Sequence, residues 1–92
     1  MKFWLVTYDI VDDKRRLKVA NLLEDYGKRV QYSVFEVWLP YAELETFKAK
    51  LQNLIESKSD SVRLYELCGT CQQKVVVLGQ GMIPSKPSSI II

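Results

Sequence analysis

Residues 3–10 form the run of this sequence that leaves the least choice of structure. The run reads FWLVTYDI, and its side chains are apolar, aromatic or β-branched until Asp9. Such a run is typical of a strand buried on both faces, which places it in the middle of a sheet. Because a carboxylate is costly to desolvate, we expect the strand to deliver Asp9 to solvent, a partner or a metal. The residues alone leave open a simpler role for Asp9, in a turn or helix cap.

An amphipathic helix is predicted directly after this strand. Asp12 and Asp13 are both candidates for its N-cap, since carboxylates suit the positive end of the helix dipole. Apolar residues then recur at helical spacing, at Val19, Leu22, Leu23 and Tyr26. Gly27 predicts the end of this helix.

Basic residues are concentrated at the start of this helix and just after it. They are Lys14, Arg15, Arg16, Lys18, Lys28 and Arg29. A net charge of +2 is too small to indicate a nucleic-acid partner by itself. However, the helix dipole disfavours cations in the first turn, so their position there suggests a function. The cluster predicts either a nucleic-acid-binding band or a solvated polar face.

The rest of the chain predicts two strands, a second helix and two more strands. Residues 28–39 lack Gly and Pro but are long for one strand, so a break near Ser33 is expected. Pro40 ends this segment and permits a helix start. The clearest helical spacing follows, at Leu44, Phe47, Leu51, Leu54 and Ile55. Residues 62–67 and 74–78 are then predicted as strands.

This order of elements predicts an α+β fold, the ferredoxin-like βαββαβ sandwich with an extra C-terminal strand. Residues 1–81 are assigned to that domain and residues 82–92 to an irregular tail. A sheet covered by helices on one face leaves its other face bare. We therefore predict a homodimer that covers this face, in which the extra strand reaches the partner's sheet edge.

Two absences narrow the chemistry and the location. The sequence has no histidine, the commonest general base and transition-metal ligand, so carboxylates, hydroxyls or a hard cation would have to support catalysis. Neither a signal peptide nor an apolar run of membrane-spanning length is visible. We therefore predict a cytoplasmic protein with no membrane partner.

Several short motifs together resemble those of the small CRISPR-associated endonuclease family. They are Tyr8-Asp9-Ile10, Asp13-Lys14-Arg15-Arg16, the block at 29–36 and the strand at 60–65. Each motif is weak alone, but their order and spacing are specific, and the resemblance covers roughly residues 3–79. Members of this family are ferredoxin-like dimers that partner the spacer integrase in CRISPR adaptation. The resemblance implies a magnesium-dependent endoribonuclease or double-stranded DNA nuclease, a DNA-binding scaffold, or both. A toxin-type ribonuclease on the same fold is the alternative.

The resemblance also implies roles for individual residues. Asp9 matches the family's metal-binding acid, and two copies, one from each protomer, would hold one Mg²⁺. Tyr8, Arg16, Arg29 and Phe35 match residues near that site. Two carboxylates at a two-fold axis repel each other unless a cation or a proton lies between them, so the assignment is physically consistent.

The pair Cys68-x-x-Cys71 has three possible interpretations: a zinc site, a redox pair or two reduced cysteines in a turn. A zinc site needs about four ligands, and one chain offers these two cysteines and no histidine. A thioredoxin-like redox pair needs a helix start after the first cysteine. Because Gly69-Thr70 lies between two predicted strands, we expect a hairpin turn with reduced cysteines instead.

Overall fold

The computed structural model describes residues 1–81, so the predicted tail at 82–92 lies outside the described residues. The elements are β1 (Lys2–Asp9), α1 (Asp13–Glu24), β2 (Gly27–Gln31), β3 (Val34–Leu39), a 3₁₀ turn (Tyr41–Glu43), α2 (Leu44–Leu54), β4 (Ser61–Leu67) and α3 (Gly69–Gln73). The four strands form one antiparallel sheet in the order β2-β3-β1-β4. The predicted βαββαβ order, the central place of β1 and the break near Ser33 are confirmed. No helix within residues 1–81 is long and apolar enough to cross a bilayer.

The core lies between the sheet and helices α1 and α2. Side chains alternate along a strand, so Val6 and Tyr8 of β1 face the helices whereas Thr7 and Asp9 face away. The largest side chains of this core with almost no exposure are Phe35, Phe47, Leu23, Leu39, Val6, Val19 and Val37. Helix α1 starts at its N-cap Asp12, whose carboxylate accepts the Arg15 N–H at 2.9 Å. This confirms one of the two predicted caps.

Gly27 has a different role from the predicted helix stop. Helix α1 ends at Glu24, and Gly27 opens β2 opposite Val37. A Cβ at this position would collide with the Glu36 carbonyl oxygen. A larger residue would therefore push β2 away from β3, so the close approach of two strands accounts for the glycine.

The prediction of a hairpin at residues 68–71 was wrong, and the strand predicted at residues 74–78 is not formed within residues 1–81. Residues 69–73 form the short helix α3, so no hairpin follows β4. Residues 74–78 adopt no strand, although Val75, Val76 and Val77 favour one. Strand propensity is expressed only where a neighbouring strand supplies hydrogen bonds and packing, and within residues 1–81 this segment pairs with no strand. Its pairing with a partner's sheet edge stays a prediction.

The face of the sheet opposite the helices, here called the open face, is not uniformly bare. At one end the Phe3 and Trp38 rings pack with their centroids 4.7 Å apart, and both residues are buried. These two residues are cross-strand partners outside the cluster that packs on the helices. Toward the other end the face becomes polar, at Thr7 and Asp9. The predicted homodimer stays a prediction.

Candidate functional site

The polar end of the open face holds a cleft of about 260 Å³. Its lining residues are Thr7, Tyr8, Asp9, Ser61, Arg63 and Tyr65. Asp9 ends β1 and is exposed. Its carboxylate makes no hydrogen bond or ion pair with any other residue of the described part of the chain. The predicted delivery of Asp9 to the end of a central strand therefore matches its position, and its lone pairs are available to a ligand.

Strand pairing explains why these side chains meet. In the antiparallel register of β1 with β4, Asp9 lies opposite Ser61 and Thr7 lies opposite Arg63. Directly opposed residues project to the same face, and neighbours two positions along remain within reach of a long side chain. The Arg63 guanidinium is therefore on the same face as the Asp9 carboxylate.

Arg63 is the cation of this cleft. Its Nη1 donates to the Tyr65 hydroxyl at 3.5 Å, and that hydrogen bond raises the pKa of Arg63 above the ordinary value of arginine. Within residues 1–81 no carboxylate forms an ion pair with Arg63. Sequence reasoning missed Ser61, Arg63 and Tyr65 as site residues. Residues 61, 63 and 65 alternate along β4, which indicated that they share one face of the strand. That this face lies beside Asp9 depends on the pairing of β4 with β1, which the sequence does not specify.

Three of the other predicted site residues have their side chains on the opposite side of the sheet, including Tyr8, although Tyr8 also borders the cleft. Tyr8 is buried, and its ring centroid is 6.2 Å from that of Phe35. Its hydroxyl donates to the Tyr32 carbonyl oxygen at 3.3 Å. The Arg29 guanidinium lies 5.2 Å from the Phe35 ring centroid, within cation–π range. Burial raises the pKa of the Tyr8 phenol, and the charges of Arg29 and Arg16 partly oppose this shift.

Arg16 holds the loop that follows Asp9. Its Nε and Nη2 donate to the Ile10 carbonyl oxygen at 3.2 and 3.0 Å, and its Nη1 pairs with Asp13 at 2.6 Å. The hydrogen bond that Arg16 donates to the Asp13 carboxylate raises the pKa of Arg16. The side chains of Tyr8, Phe35 and Arg29 therefore lie together on the helix-facing side of the sheet. Arg16 holds the loop after β1. The Asp9 carboxylate is separate from all four, on the open face.

Arg15 is committed to a second aspartate. Asp60 has a fully buried side chain whose Oδ2 accepts from Arg15 Nε at 2.8 Å. The same carboxylate accepts the backbone N–H groups of Val11 at 3.1 Å and Glu56 at 2.9 Å. These donors hold the pKa of the Asp60 carboxyl far below its usual range. The contacts tie the loop after β1, the start of α1 and the start of β4 together.

The predicted basic band is therefore divided. Lys14 and Lys18 are exposed, and neither ammonium group makes a hydrogen bond or an ion pair within residues 1–81. Arg15 and Arg16 instead point into the ion pairs described above. Lys28 lies opposite Glu36 on the neighbouring strand, and its charge opposes the raised pKa that burial gives Glu36.

The donor set of the cleft suits a hard cation. Magnesium binds oxygen ligands, uses one or two carboxylates and keeps several waters. The Asp9 carboxylate and the Ser61 and Thr7 hydroxyls are oxygen donors of this kind. No group of three or more His, Cys, Asp or Glu residues that could hold a metal ion occurs in residues 1–81. A single chain is therefore a sparse metal site, and a second carboxylate would have to come from another chain.

Known proteins resemble this chain in sequence and structure. The family model described as CRISPR associated protein Cas2 matches residues 1–75. The CRISPR-associated endoribonuclease Cas2 3 of Synechocystis sp. is 40% identical over 92 residues, which is 100% of each chain. Streptococcus pyogenes Cas2 superimposes with a TM-score of 0.74 at 43% identity, over 84% of this chain and 99% of that one. A chain of a partial Cas6-RT-Cas1–Cas2 complex superimposes with a TM-score of 0.73 at 32% identity, over 85% and 91% of the two chains.

A match that runs from β1 through α3 covers every element described above. The chain belongs to the CRISPR associated protein Cas2 family.

Proposed function

We propose that this chain acts in CRISPR spacer adaptation as a homodimer that binds nucleic acid and hydrolyses phosphodiesters at a magnesium site shared by two Asp9 carboxylates. The observation that carries this proposal is the exposed, unpartnered Asp9 in a polar cleft of about 260 Å³. The Synechocystis relative is named an endoribonuclease, and the structural neighbour from the complex is assembled with Cas1. These names support a nuclease activity and an integrase partner for this chain.

The Asp9 carboxylate would hold the metal. Each chain contributes one such group, so two copies facing each other across a two-fold axis provide the one or two carboxylates that magnesium uses. Their mutual repulsion is relieved when a cation is bound between them. Bound magnesium would supply positive charge beside the phosphate and a more acidic bound water.

Arg63 would bind the substrate's phosphate. Its guanidinium lies in the same cleft as Asp9 and lacks a carboxylate partner within residues 1–81. A guanidinium presents several donors to phosphate oxygens, and such charge-assisted hydrogen bonds are stronger than neutral ones. The Tyr65 hydroxyl accepts from Arg63 Nη1, which helps to orient the guanidinium toward the cleft.

Four more predicted residues would support the site from behind the sheet. The Arg16 contacts to the Ile10 carbonyl hold the loop that leaves Asp9, so Arg16 is a positioning residue. Tyr8 and Phe35 pack beneath the strand end, and Arg29 covers the Phe35 ring. These contacts restrict the movement of β1 where it presents its carboxylate.

A second function, a non-catalytic DNA scaffold for the integrase, is supported by the sparse donor set. Within residues 1–81 no cluster of metal-binding side chains accompanies Asp9. The exposed Lys14 and Lys18 offer charges to a duplex backbone without regard to its sequence. A dimer could serve in this role without cleaving the nucleic acid.

The variant Asp9→Asn tests the proposal, since it removes the charge and keeps nearly the same shape. We expect magnesium-dependent cleavage of labelled RNA or duplex DNA to fall by at least about 100-fold. Asp25→Asn is the matched control, because Asp25 is an exposed carboxylate beyond the other end of α1. Cleavage by Asp9→Asn at the wild-type rate would show that the metal site lies elsewhere.

Spacer acquisition in cells with the same variant separates the two functions. Loss of acquisition together with cleavage supports catalysis as the role, whereas retained acquisition supports the scaffold. Sedimentation should give about twice the chain mass of 10.7 kDa. A monomer at micromolar concentration would contradict a metal site shared between two chains.

A further inference from the structure

The two cysteines lie together where β4 gives way to α3. Cys68 is the N-cap residue of α3, and Cys71 lies within that helix. The Cys71 backbone N–H donates to the Cys68 Sγ at 3.4 Å. Both cysteines are exposed, and both are free thiols. A helical turn therefore replaces the predicted hairpin. It provides the helix start after the first cysteine that a thioredoxin-like redox pair needs.

The spacing of this pair fits a disulfide. Residues three apart on a helical turn have Cβ atoms roughly 5–6 Å apart. A disulfide needs Cβ atoms about 3.5–4.5 Å apart, so a small adjustment of the first turn would bring the two sulfurs into bonding distance. The Cys71 backbone N–H already lies 3.4 Å from the Cys68 Sγ, so the first turn holds this sulfur close to Cys71.

The hydrogen bonds make the two sulfurs chemically different. The Cys71 backbone N–H and the Cys71 thiol both donate to Cys68, and together they lower the pKa of the Cys68 thiol. The same thiol contact raises the pKa of Cys71. A thiolate is the attacking species in disulfide exchange, so at neutral pH Cys68 is the better nucleophile.

We infer that Cys68 and Cys71 form a reversible dithiol–disulfide site that reacts with low-molecular-weight disulfides such as oxidised glutathione. The Cys68 thiolate attacks one sulfur of the reagent, forms a mixed disulfide and releases one small thiolate, which takes up a proton. Cys71 then loses its proton, attacks the Cys68 sulfur and displaces the second small thiol. In sum, two protein thiols are oxidised to one disulfide, and one small disulfide is reduced to two thiols.

The surroundings of the pair favour this chemistry over metal binding. A structural zinc site takes four ligands, and residues 1–81 contain no group of three or more side chains that could hold a metal ion. The two sulfurs are exposed, so a small disulfide can reach them. The bond would join the residue that follows β4 to the interior of α3, and so fix the direction in which the chain leaves the sheet.

Treatment of the full chain with oxidised glutathione, followed by alkylation and mass spectrometry, tests the inference. The wild-type protein should lose two reactive thiols and form a disulfide within one chain. Cys71→Ser should accumulate a stable mixed disulfide with glutathione at Cys68. Cys68→Ser should react with glutathione disulfide at least about threefold more slowly than Cys71→Ser at pH 7.

The two serine variants control for each other, because each retains one exposed thiol in the same turn. Asp9→Asn should oxidise like the wild type, so failure of the proposed nuclease would leave this result untouched. Equal reaction rates of the two serine variants would overturn the assignment of Cys68 as the attacking group. Disulfides formed only between chains, seen on a non-reducing gel, would overturn the site itself.

Discussion

Two aspartates lie at the same end of the sheet and have opposite surroundings. Asp9 ends β1 and is exposed, and its carboxylate makes no hydrogen bond or ion pair within the described chain. Asp60 directly precedes β4, has a buried side chain, and accepts two backbone N–H groups and the Arg15 guanidinium. The residue after Asp60, Ser61, is the cross-strand partner of Asp9. The comparison shows that the availability of a carboxylate, rather than its place at a strand end, distinguishes a candidate ligand from a structural anchor.

Exchanging each carboxylate for an amide should give the largest difference between the two residues. Asp60→Asn replaces an oxygen that accepts hydrogen bonds with a donor and leaves Arg15 without its partner, so we expect the melting temperature to fall by roughly 10 °C or more. Asp9→Asn should leave the melting temperature unchanged or slightly higher, because it removes an exposed charge. Thermal unfolding followed by circular dichroism measures both. Equal losses would remove the distinction.

Lowering the pH should remove the stabilising contribution of Asp60 gradually. The pKa of Asp60 is lowered in the folded chain, so its stabilising contribution is complete above the unfolded value of about 3.9. The contribution is lost as pH falls below about 4 toward the lower folded pKa. Denaturant unfolding of wild type and Asp60→Asn between pH 3 and pH 7 should therefore show a stability gap that narrows below about pH 4. A gap that stays constant over this range would contradict the role of the ionised carboxylate.

The smallest effect concerns the neighbouring cations. If Lys14 and Lys18 contact a duplex backbone, Lys14→Gln/Lys18→Gln should lower the slope of log affinity against log salt by up to about 2 per chain. Arg15→Gln should change that slope by less than about 0.5, because the Arg15 guanidinium already binds Asp60 and is not available to a phosphate. Fluorescence anisotropy of a labelled duplex at several salt concentrations measures the slopes. A larger change in Arg15→Gln would show that the Asp60 ion pair opens when nucleic acid binds.

Much of the fold was predictable because its strongest signals are local. The uninterrupted apolar run of β1 indicated a central strand, and the helical spacing of Leu44, Phe47 and Leu51 indicated α2. Helix α3 was missed because five residues are too few to show a helical period. The strand predicted at 74–78 does not form within residues 1–81, because β-branched side chains favour a strand without supplying the neighbouring strand that it must pair with.

The candidate site was predictable only in part, for a similar reason. Asp9 was identified because a charge at the end of a buried strand conflicts with its neighbours in sequence. Arg63 joins it through the pairing of β4 with β1, which no local pattern specifies. The anchoring role of Asp60 depends on a hydrogen bond from Val11, 49 residues away. Contacts over such distances arise from the folded topology, and short-range patterns do not contain them.

The packing of Phe3 against Trp38 makes the intrinsic fluorescence of Trp38 a probe of the open face. The sequence holds two tryptophans, and they lie on opposite faces of one sheet. Trp38 is buried against Phe3 on the open face, whereas Trp4 is half-buried against the helix-facing cluster. The indole emission of a Trp4→Phe chain would therefore come from the open face alone, and that of a Trp38→Phe chain from the helical side. Fluorescence can thus follow events at either surface without an attached dye.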